Sequence, residues 1–103
     1  METISPLFFA ARNGHVAFVR LLIDAGADLN LANADGATPL FIAAQTGQVA
    51  VLRLLIEAGA DSQQAKRTTG ETPLYVATLN AQVEAVDVLL QARVAIDDAL
   101  PAS

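Results

Sequence analysis

The chain has 103 residues, a length that suits one domain and leaves no room for a second core. Its formal net charge of −5 at pH 7 repels the phosphates of nucleic acid and of anionic membranes, so neither is an expected partner. The sequence has no cysteine for disulfides or thiolate metal sites, no apolar run of membrane-spanning length and no secretory signal pattern, which makes the cytoplasm or nucleus the expected location.

The sequence repeats itself three times. A tetrapeptide of Ser or Thr, Pro, Leu and an aromatic residue begins at Ser5, Thr38 and Thr72, at steps of about 33 residues. Further along, Val19–Asp28 closely matches Leu52–Asp61 at the same step. Such a period predicts stacked structural units in a single domain, 1–98. The units span about 1–33, 34–67 and 68–98, and a tail at 99–103 is expected to fray.

Each unit opens with a helix-start signal. A Ser or Thr hydroxyl accepts a hydrogen bond from a free backbone N–H, and Pro at the first helical position removes a donor that would be unpaired anyway. The first helix of each unit, called helix A, is therefore predicted to begin at Pro6, Pro39 and Pro73. Gly14 and Gly47 follow about two turns later, where a left-handed residue favours glycine, so helix A is expected to be short.

The second helix of each unit, called helix B, is indicated by apolar residues at helical spacing, such as Val16 and Val19. The predicted ranges are Val16–Ala25, Val49–Ala58 and Val83–Ala92. Gly26 and Gly59 are expected to end the first two of these helices. The segment Ala27–Ala37 is too rich in Asp, Asn and Gly for a helix and favours an extended turn or hairpin.

Small and branched residues recur where the units should meet. Alanine pairs such as Ala10-Ala11 in helix A and leucine pairs such as Leu21-Leu22 in helix B are expected to pack between units, because neither helix is stable alone. The combined pattern of Thr-Pro-Leu, Ala-Ala, a glycine turn and Leu-Leu before Gly-Ala-Asp resembles the ankyrin repeat over roughly Ser5 to Asp97. The resemblance implies an all-α solenoid of three helix-turn-helix units joined by hairpin-like loops, and a module that binds another protein and catalyses no reaction.

The third unit departs from this pattern. Ala81 and Arg93 stand where turn glycines are expected, and an extra residue lies in the loop before Thr72. Terminal units are commonly atypical because their outer face meets water, so Arg93, Asp97 and Asp98 are interpreted as parts of a C-terminal cap. Because Arg93 would be strained in a left-handed conformation, the alternative is that helix B continues beyond its expected end. These irregularities argue against an idealised, designed repeat protein.

Aromatic residues occupy two further sets of positions. Phe8, Phe41 and Tyr75 replace the histidine of the ankyrin pattern and are expected to form a column through the core. Phe8, Phe9 and Phe18 lie in a first unit that has no preceding neighbour, so we expect an exposed apolar patch or a partner that covers it. A second hypothesis for function follows, in which copies of the chain associate through their apolar terminal units.

The sequence offers little chemistry for catalysis. Its single histidine, His15, follows a turn glycine and is expected to cap a helix. Ser5, His15 and Asp24 do not make a convincing triad, because Ser5 is already assigned to capping helix A. The acidic residues are scattered, and Asp97-Asp98 is more typical of a solvated run than of a metal site. We therefore expect no catalytic residue, metal or cofactor.

The resemblance instead implies partner contacts at the loop tips and on the exposed side of helix A. The candidate residues are the positions there that differ from unit to unit. They are Arg12, Asn13, Ala34, Asp35, Ala37, Gln45, Thr46, Thr68, Thr69, Glu71, Leu79 and Asn80, with Ala32 beside them.

Charge gives a weak indication of the partner. Asp35 and Glu71 are expected at corresponding loop sites, which gives the surface an acidic character, while Lys66 and Arg67 beside them oppose it. A basic or mixed polar partner is therefore expected.

Overall fold

The computed structural model describes the backbone of residues 5–99 and the side chains of residues 5–93. Its described part contains six α-helices and no strand. They are α1 (Pro6–Asn13), α2 (Val16–Asp24), α3 (Pro39–Thr46), α4 (Val49–Glu57), α5 (Pro73–Leu79) and α6 (Val83–Ala99). The expected all-α repeat fold is confirmed. Of the tail expected to fray, 99–103, Ala99 is the last residue of α6 and 100–103 lie outside the described residues. The side chains of Asp97 and Asp98, expected to belong to a cap, also lie outside them.

The first helix of each repeat starts as the sequence predicts. The hydroxyls of Ser5, Thr38 and Thr72 accept hydrogen bonds from the backbone N–H three residues later, at 3.0, 3.1 and 3.1 Å. Proline follows each cap at the start of the helix. Caps of this kind contribute about 1 kcal/mol each, which matters for helices of two turns that have little stability of their own.

The turns after these helices differ between repeats. Gly14 and Gly47 adopt left-handed conformations, with φ of 71° and 73°. In the third repeat Ala81 occupies the same position with φ of 57°, the one described non-glycine residue with positive φ. The third turn is therefore strained, because the Cβ of Ala81 is crowded by the backbone in a left-handed conformation.

The last helix is longer than the sequence predicts. α2 and α4 end at Asp24 and Glu57, before glycines with positive φ. Arg93 replaces that glycine in the third repeat, and α6 runs through it to Ala99. The predicted end at Ala92 is wrong, and the alternative that the helix continues is confirmed. Arg93 avoids the left-handed conformation because helical φ and ψ cost it nothing there.

The helices stack in two layers. α3 packs between α1 and α5, while α4 packs between α2 and α6. Ala11, Ala44 and Ala77 are fully buried, which lets the first helices of neighbouring repeats approach closely. The expected aromatic column is right only in part, because Phe8 and Phe41 are buried whereas Tyr75 is 55% exposed on the last repeat.

The leucine pairs fill the layer of second helices unequally. Leu55 and Leu89 are buried, as expected for residues between helices. Leu21 and Leu90 are exposed; Leu21 lies on the outer side of the first repeat, and Leu90 occupies the position of Ile23 and Ile56, one residue after the other leucine pairs. Only the leucine pair of the middle repeat therefore has no exposed member.

The loops between repeats form hydrogen-bonded turns. Asn33 N–H donates to the Ala37 carbonyl at 2.8 Å, and Lys66 N–H donates to the Glu71 carbonyl at 2.7 Å. The second turn is one residue longer, which locates the extra residue between the second and third repeats in the segment from Lys66 to Glu71. The tips of the two turns also bind each other, since the N–H groups of Arg67 and Thr68 donate to the carbonyls of Gly36 and Asp35, both at 3.3 Å.

This contact between turn tips explains one glycine. Gly36 has φ of 83°, and a Cβ on it would overlap the Cβ of Arg67 and lie 2.6 Å from its amide nitrogen. Gly70 ends the next turn with a similar φ of 77° but has no atom near its would-be Cβ. The two glycines thus share a conformation but differ in their neighbours.

We predict that Gly36→Ala destabilises the protein more than Gly70→Ala. Both substitutions incur the left-handed penalty of roughly 1–2 kcal/mol, and Gly36→Ala adds overlap that typically costs about 1–3 kcal/mol. Urea unfolding followed by circular dichroism measures the difference. Equal losses of stability in the two variants would show that the turn tips do not touch.

Ala81→Gly is predicted to raise the free energy of unfolding by up to about 1 kcal/mol, because the relief of left-handed strain exceeds the entropy that glycine loses on folding. Ala92→Gly, the same change inside α6, is the control and should lower stability by about 1 kcal/mol. Thermal unfolding measures both. A destabilising effect of Ala81→Gly would contradict the strained turn.

Candidate functional site

The structure places the candidate binding residues in two groups, both in rows across the stack. The tip group lies in the turns that precede α3 and α5, and the end group lies at the carboxyl ends of α1, α3 and α5. These helices have seven or eight residues, so about 10 to 12 Å of helix lies between the two groups. The tip group comprises Ala34, Asp35, Thr68, Thr69 and Glu71, and the end group comprises Arg12, Asn13, Gln45, Thr46, Leu79 and Asn80.

The tip group differs from the sequence expectation at two residues. Ala37 is 4% exposed, because it closes the base of its turn and packs in the core, so its side chain does not belong to the surface. The hydrogen bonds of the two turns also make Glu71 the counterpart of Ala37 and not of Asp35. The expected pairing of Asp35 with Glu71 is therefore wrong, since the extra residue shifts the register between them.

Hydrogen bonds hold the tip group in place. Asn33 Oδ1 accepts from the N–H groups of Asp35 and Ala37 at 3.0 and 2.9 Å. Arg67 extends back and donates from Nη2 to the Ala34 carbonyl at 3.4 Å. The exposed side chains of Asp35 and Thr68 thus project from turns whose backbones are hydrogen-bonded to each other. Because these turns are already ordered, less conformational entropy is lost when a partner binds.

The two cationic side chains near the tip group, Lys66 and Arg67, both contact other parts of the protein. Lys66 is half-buried and its Nζ lies 5.9 Å from the centre of the Phe41 ring, at a distance typical of a cation–π contact. Arg67 is exposed but reaches the neighbouring turn. The Arg67 guanidinium binds the carbonyl of Ala34, the residue before Asp35, so the surface there has mixed charge instead of a uniformly acidic character.

The end group has fewer free polar atoms than its sequence implies. Asn13 Nδ2 donates to the Phe9 carbonyl at 2.9 Å, Thr46 Oγ1 to the Ile42 carbonyl at 2.7 Å and Asn80 Nδ2 to the Val76 carbonyl at 3.0 Å. These side chains bond to the last turn of their own helix. The exposed Leu79 and Arg12 are left as the members best able to contact a partner, although the Arg12 guanidinium also lies over the Phe9 ring, 5.5 Å from its centroid.

Two glutamines join the end group of one repeat to the next repeat. Gln48 Nε2 donates to the Arg12 carbonyl at 3.3 Å, and Gln82 Nε2 donates to the Gln45 carbonyl at 3.4 Å. We call this pair the latch glutamines. Each also fills the space beside the turn glycine of the preceding repeat, where a Cβ on Gly14 or Gly47 would overlap it. In the sequence, a glutamine directly follows the turn residue in two repeats, and this repetition was a detectable signal. The sequence alone does not show that each glutamine binds a carbonyl of the preceding repeat.

The outer side of the first repeat is a second candidate surface. Its concavity of about 610 Å³ is lined by Pro6, Phe9, His15, Phe18, Leu21 and Leu22, with Ser5 and Ala10, and we call it the N-terminal face. Phe9 and Phe18 are 50% and 62% exposed, which confirms the expected apolar patch, but Phe8 is buried in the core and does not belong to it.

His15 belongs to this face and does not act as expected. It precedes α2, but its side chain makes no capping hydrogen bond. Its ring instead lies between two phenylalanines, 6.2 Å from the Phe9 centroid and 5.8 Å from that of Phe18. Among the described residues, the contacts between aromatic rings are these two, and both lie at the first repeat. The rings of the expected column do not contact one another.

The described residues provide few means for other chemistry. Within residues 5–93, no three His, Asp or Glu side chains are grouped so that they could hold a metal ion. Ser5 caps α1 and is not available to a triad with His15. No helix in the described part is long and apolar enough to cross a membrane.

These features define a helical repeat protein whose variable, exposed residues lie in two rows, before the first helices and at their carboxyl ends, and whose scaffold residues form its core. A family model for ankyrin repeats in three copies matches residues 7–99. The chain therefore belongs to the ankyrin repeat family, whose members are generally non-enzymatic modules for protein interaction. A comparison with curated proteins finds no match.

Proposed function

We propose that this protein is an interaction module that binds another protein through the tip group and the end group together. The observation that carries the proposal is the tip-to-tip hydrogen bonding, which fixes non-repeating, exposed side chains in a row across two repeats. Loops held in one geometry by a scaffold bind with a smaller entropy loss than mobile loops. The family resemblance supports the same edge of the molecule as the binding surface.

The charges of the two groups support a partner of mixed polarity. Asp35 and Arg67 lie at the tips, Arg12 lies at the far end of α1, and Leu79 adds an exposed apolar contact, 63% accessible, on the third repeat. A partner that touches both groups must extend about 10 to 12 Å along the first helices. A segment with a basic residue near the tips and an acidic residue near Arg12 fits this arrangement.

The proposal predicts separate contributions from the two groups. Asp35→Ala with Thr68→Ala removes the tip contacts, and Arg12→Ala with Leu79→Ala removes the end contacts. We expect each double variant to weaken binding of the partner at least about tenfold, because a lost central contact costs more than about 1 kcal/mol. The partner is first identified by cross-linking and mass spectrometry with the full chain, and its affinity is then measured by calorimetry.

Arg20→Ala with Glu57→Ala is the matched control, since both residues are exposed on second helices, outside both groups. This variant should bind like the wild type. All three variants should keep the wild-type Tm to within a few degrees, because exposed substitutions change stability by less than about 0.5 kcal/mol. Unchanged binding in the tip and end variants, or loss of binding in the control, would refute the proposed surface.

A further inference from the structure

The turn between the second and third repeats carries the one pair of adjacent cationic residues in the sequence. Of the six Lys and Arg residues, Lys66 and Arg67 are neighbours, and Thr68 and Thr69 follow them directly. The chain as a whole is acidic, with eleven Asp and Glu residues and a formal net charge of −5. The packing of the repeats does not require this basic cluster, because Arg67 and both threonines are exposed.

The two threonines differ from the other serines and threonines that the structure describes. Those hydroxyls cap a helix, donate to a carbonyl of their own helix or are buried, and they belong to Ser5, Thr38, Thr72, Thr46, Thr78 and Ser62. Thr68 and Thr69 instead lie exposed at the tip of a turn. Thr69 Oγ1 accepts from the Glu71 N–H at 3.3 Å, a contact that does not use its own O–H proton.

The backbone around Thr69 can leave its turn without uncovering the core. Gly70 N–H donates to the Lys66 carbonyl at 2.7 Å and closes the turn, while Arg67 and Thr68 bond to the preceding tip at 3.3 Å. The side chains from 67 to 70 are exposed, so opening this segment brings no apolar side chain into water. Glycine at position 70 adopts extended conformations as readily as its present one. The segment therefore suits an enzyme cleft that binds its substrate in extended form.

The order of these residues fits the cleft of a basophilic protein kinase. Such a cleft holds acidic side chains that pair with basic residues two and three positions before the hydroxyl that is phosphorylated. Arg67 and Lys66 stand two and three positions before Thr69, but one and two positions before Thr68. The spacing therefore selects Thr69 as the acceptor.

We propose that Thr69 is a phosphorylation site for a basophilic protein kinase, and that its phosphate changes the charge of the tip group. Thr69 Oγ1 attacks the γ-phosphorus of ATP, the bond between that phosphorus and the oxygen of the departing ADP breaks, and the hydroxyl proton passes to the base of the kinase. The site itself does not depend on the function proposed above.

The phosphate changes the tip group in two ways. Asp35 and Glu71 balance Lys66 and Arg67 in formal charge, and a phosphothreonine adds about −2 at pH 7. The phosphate oxygens are also stronger acceptors for the Arg67 guanidinium than the Ala34 carbonyl, which accepts from it at 3.4 Å. A basic residue of a partner near the tips should then be held more tightly, a consequence that rests on the function proposed for the tip group.

Kinase treatment of the full chain tests the site without any partner. With ATP and the catalytic subunit of cyclic-AMP-dependent protein kinase, a basophilic enzyme, we expect one phosphate per chain, located at Thr69 by fragmentation mass spectrometry. Thr69→Ala should abolish incorporation and Thr68→Ala should keep it. Arg67→Ala should lower kcat/KM at least about tenfold, whereas Arg53→Ala, which removes an exposed cation from α4, should not change it. An unmodified Thr69, or a phosphate at another residue in its place, would overturn the proposal.

Val51→Ala distinguishes the folded chain from the unfolded chain as the substrate. Val51 is 1% exposed in α4, so this truncation in the core should raise the unfolded population at least about fivefold, as measured by urea unfolding. Phosphorylation through opening of the turn alone should keep the wild-type initial rate. A rate that rises in proportion to the unfolded population would overturn the site as a feature of the folded protein.

Calorimetry with the partner identified by cross-linking tests the effect of the charge. The phosphorylated chain should bind at least about fivefold more tightly than the unmodified chain, and kinase-treated Thr69→Ala should bind like untreated Thr69→Ala. Equal or weaker binding of the phosphorylated chain would overturn the proposed change at the tip group. A chain that is phosphorylated at Thr69 but binds no partner through the tips would contradict the function proposed above and support the site.

Discussion

Close packing between neighbouring repeats is the constraint on which the rest of the structure depends. Helices of eight or nine residues, such as those of the first two repeats, have little stability alone, so each must bury its apolar side on the next repeat. Alanine at positions 11 and 44, and glycine at position 36, permit this approach because a larger side chain there would meet the neighbouring repeat. The turns and the exposed rows are consequences of that packing.

Most helix boundaries follow from local signals in the sequence. Thr38 and Pro39 begin a helix and Gly47 ends it by interactions within a few residues, so the sequence is sufficient to predict them. The continuation of α6 past Ala92 follows from the missing glycine at Arg93, although the sequence left a cap as the other alternative. The register of Glu71 depends on hydrogen bonds across a turn, which no local pattern shows. The exposed patch of Phe9 and Phe18 was predictable from the sequence, but the orientation of His15 was not, because its ring packs on these two phenylalanines within the first repeat.

The two ends of the stack are unlike, and this difference bears on function. The third repeat has Thr78 and Ala81 in place of the alanine and glycine on which a following repeat would pack, whereas the first repeat retains an apolar outer side with Phe9 and Phe18 exposed. Exposed apolar surface of this kind is characteristic of interaction sites. The chain thus offers a lateral surface of variable residues and a terminal surface that has the form of its own internal interfaces.

Native-state hydrogen exchange tests the dependence on neighbours most directly. If stability is the sum of contacts between adjacent repeats, the backbone amides of α3 and α4, which are packed on both sides, should exchange most slowly. Amides of α2 should exchange faster, because the outer side of the first repeat is open. Equal protection in all the helices, or the slowest exchange in α2, would show that each repeat is stable by itself and contradict the account.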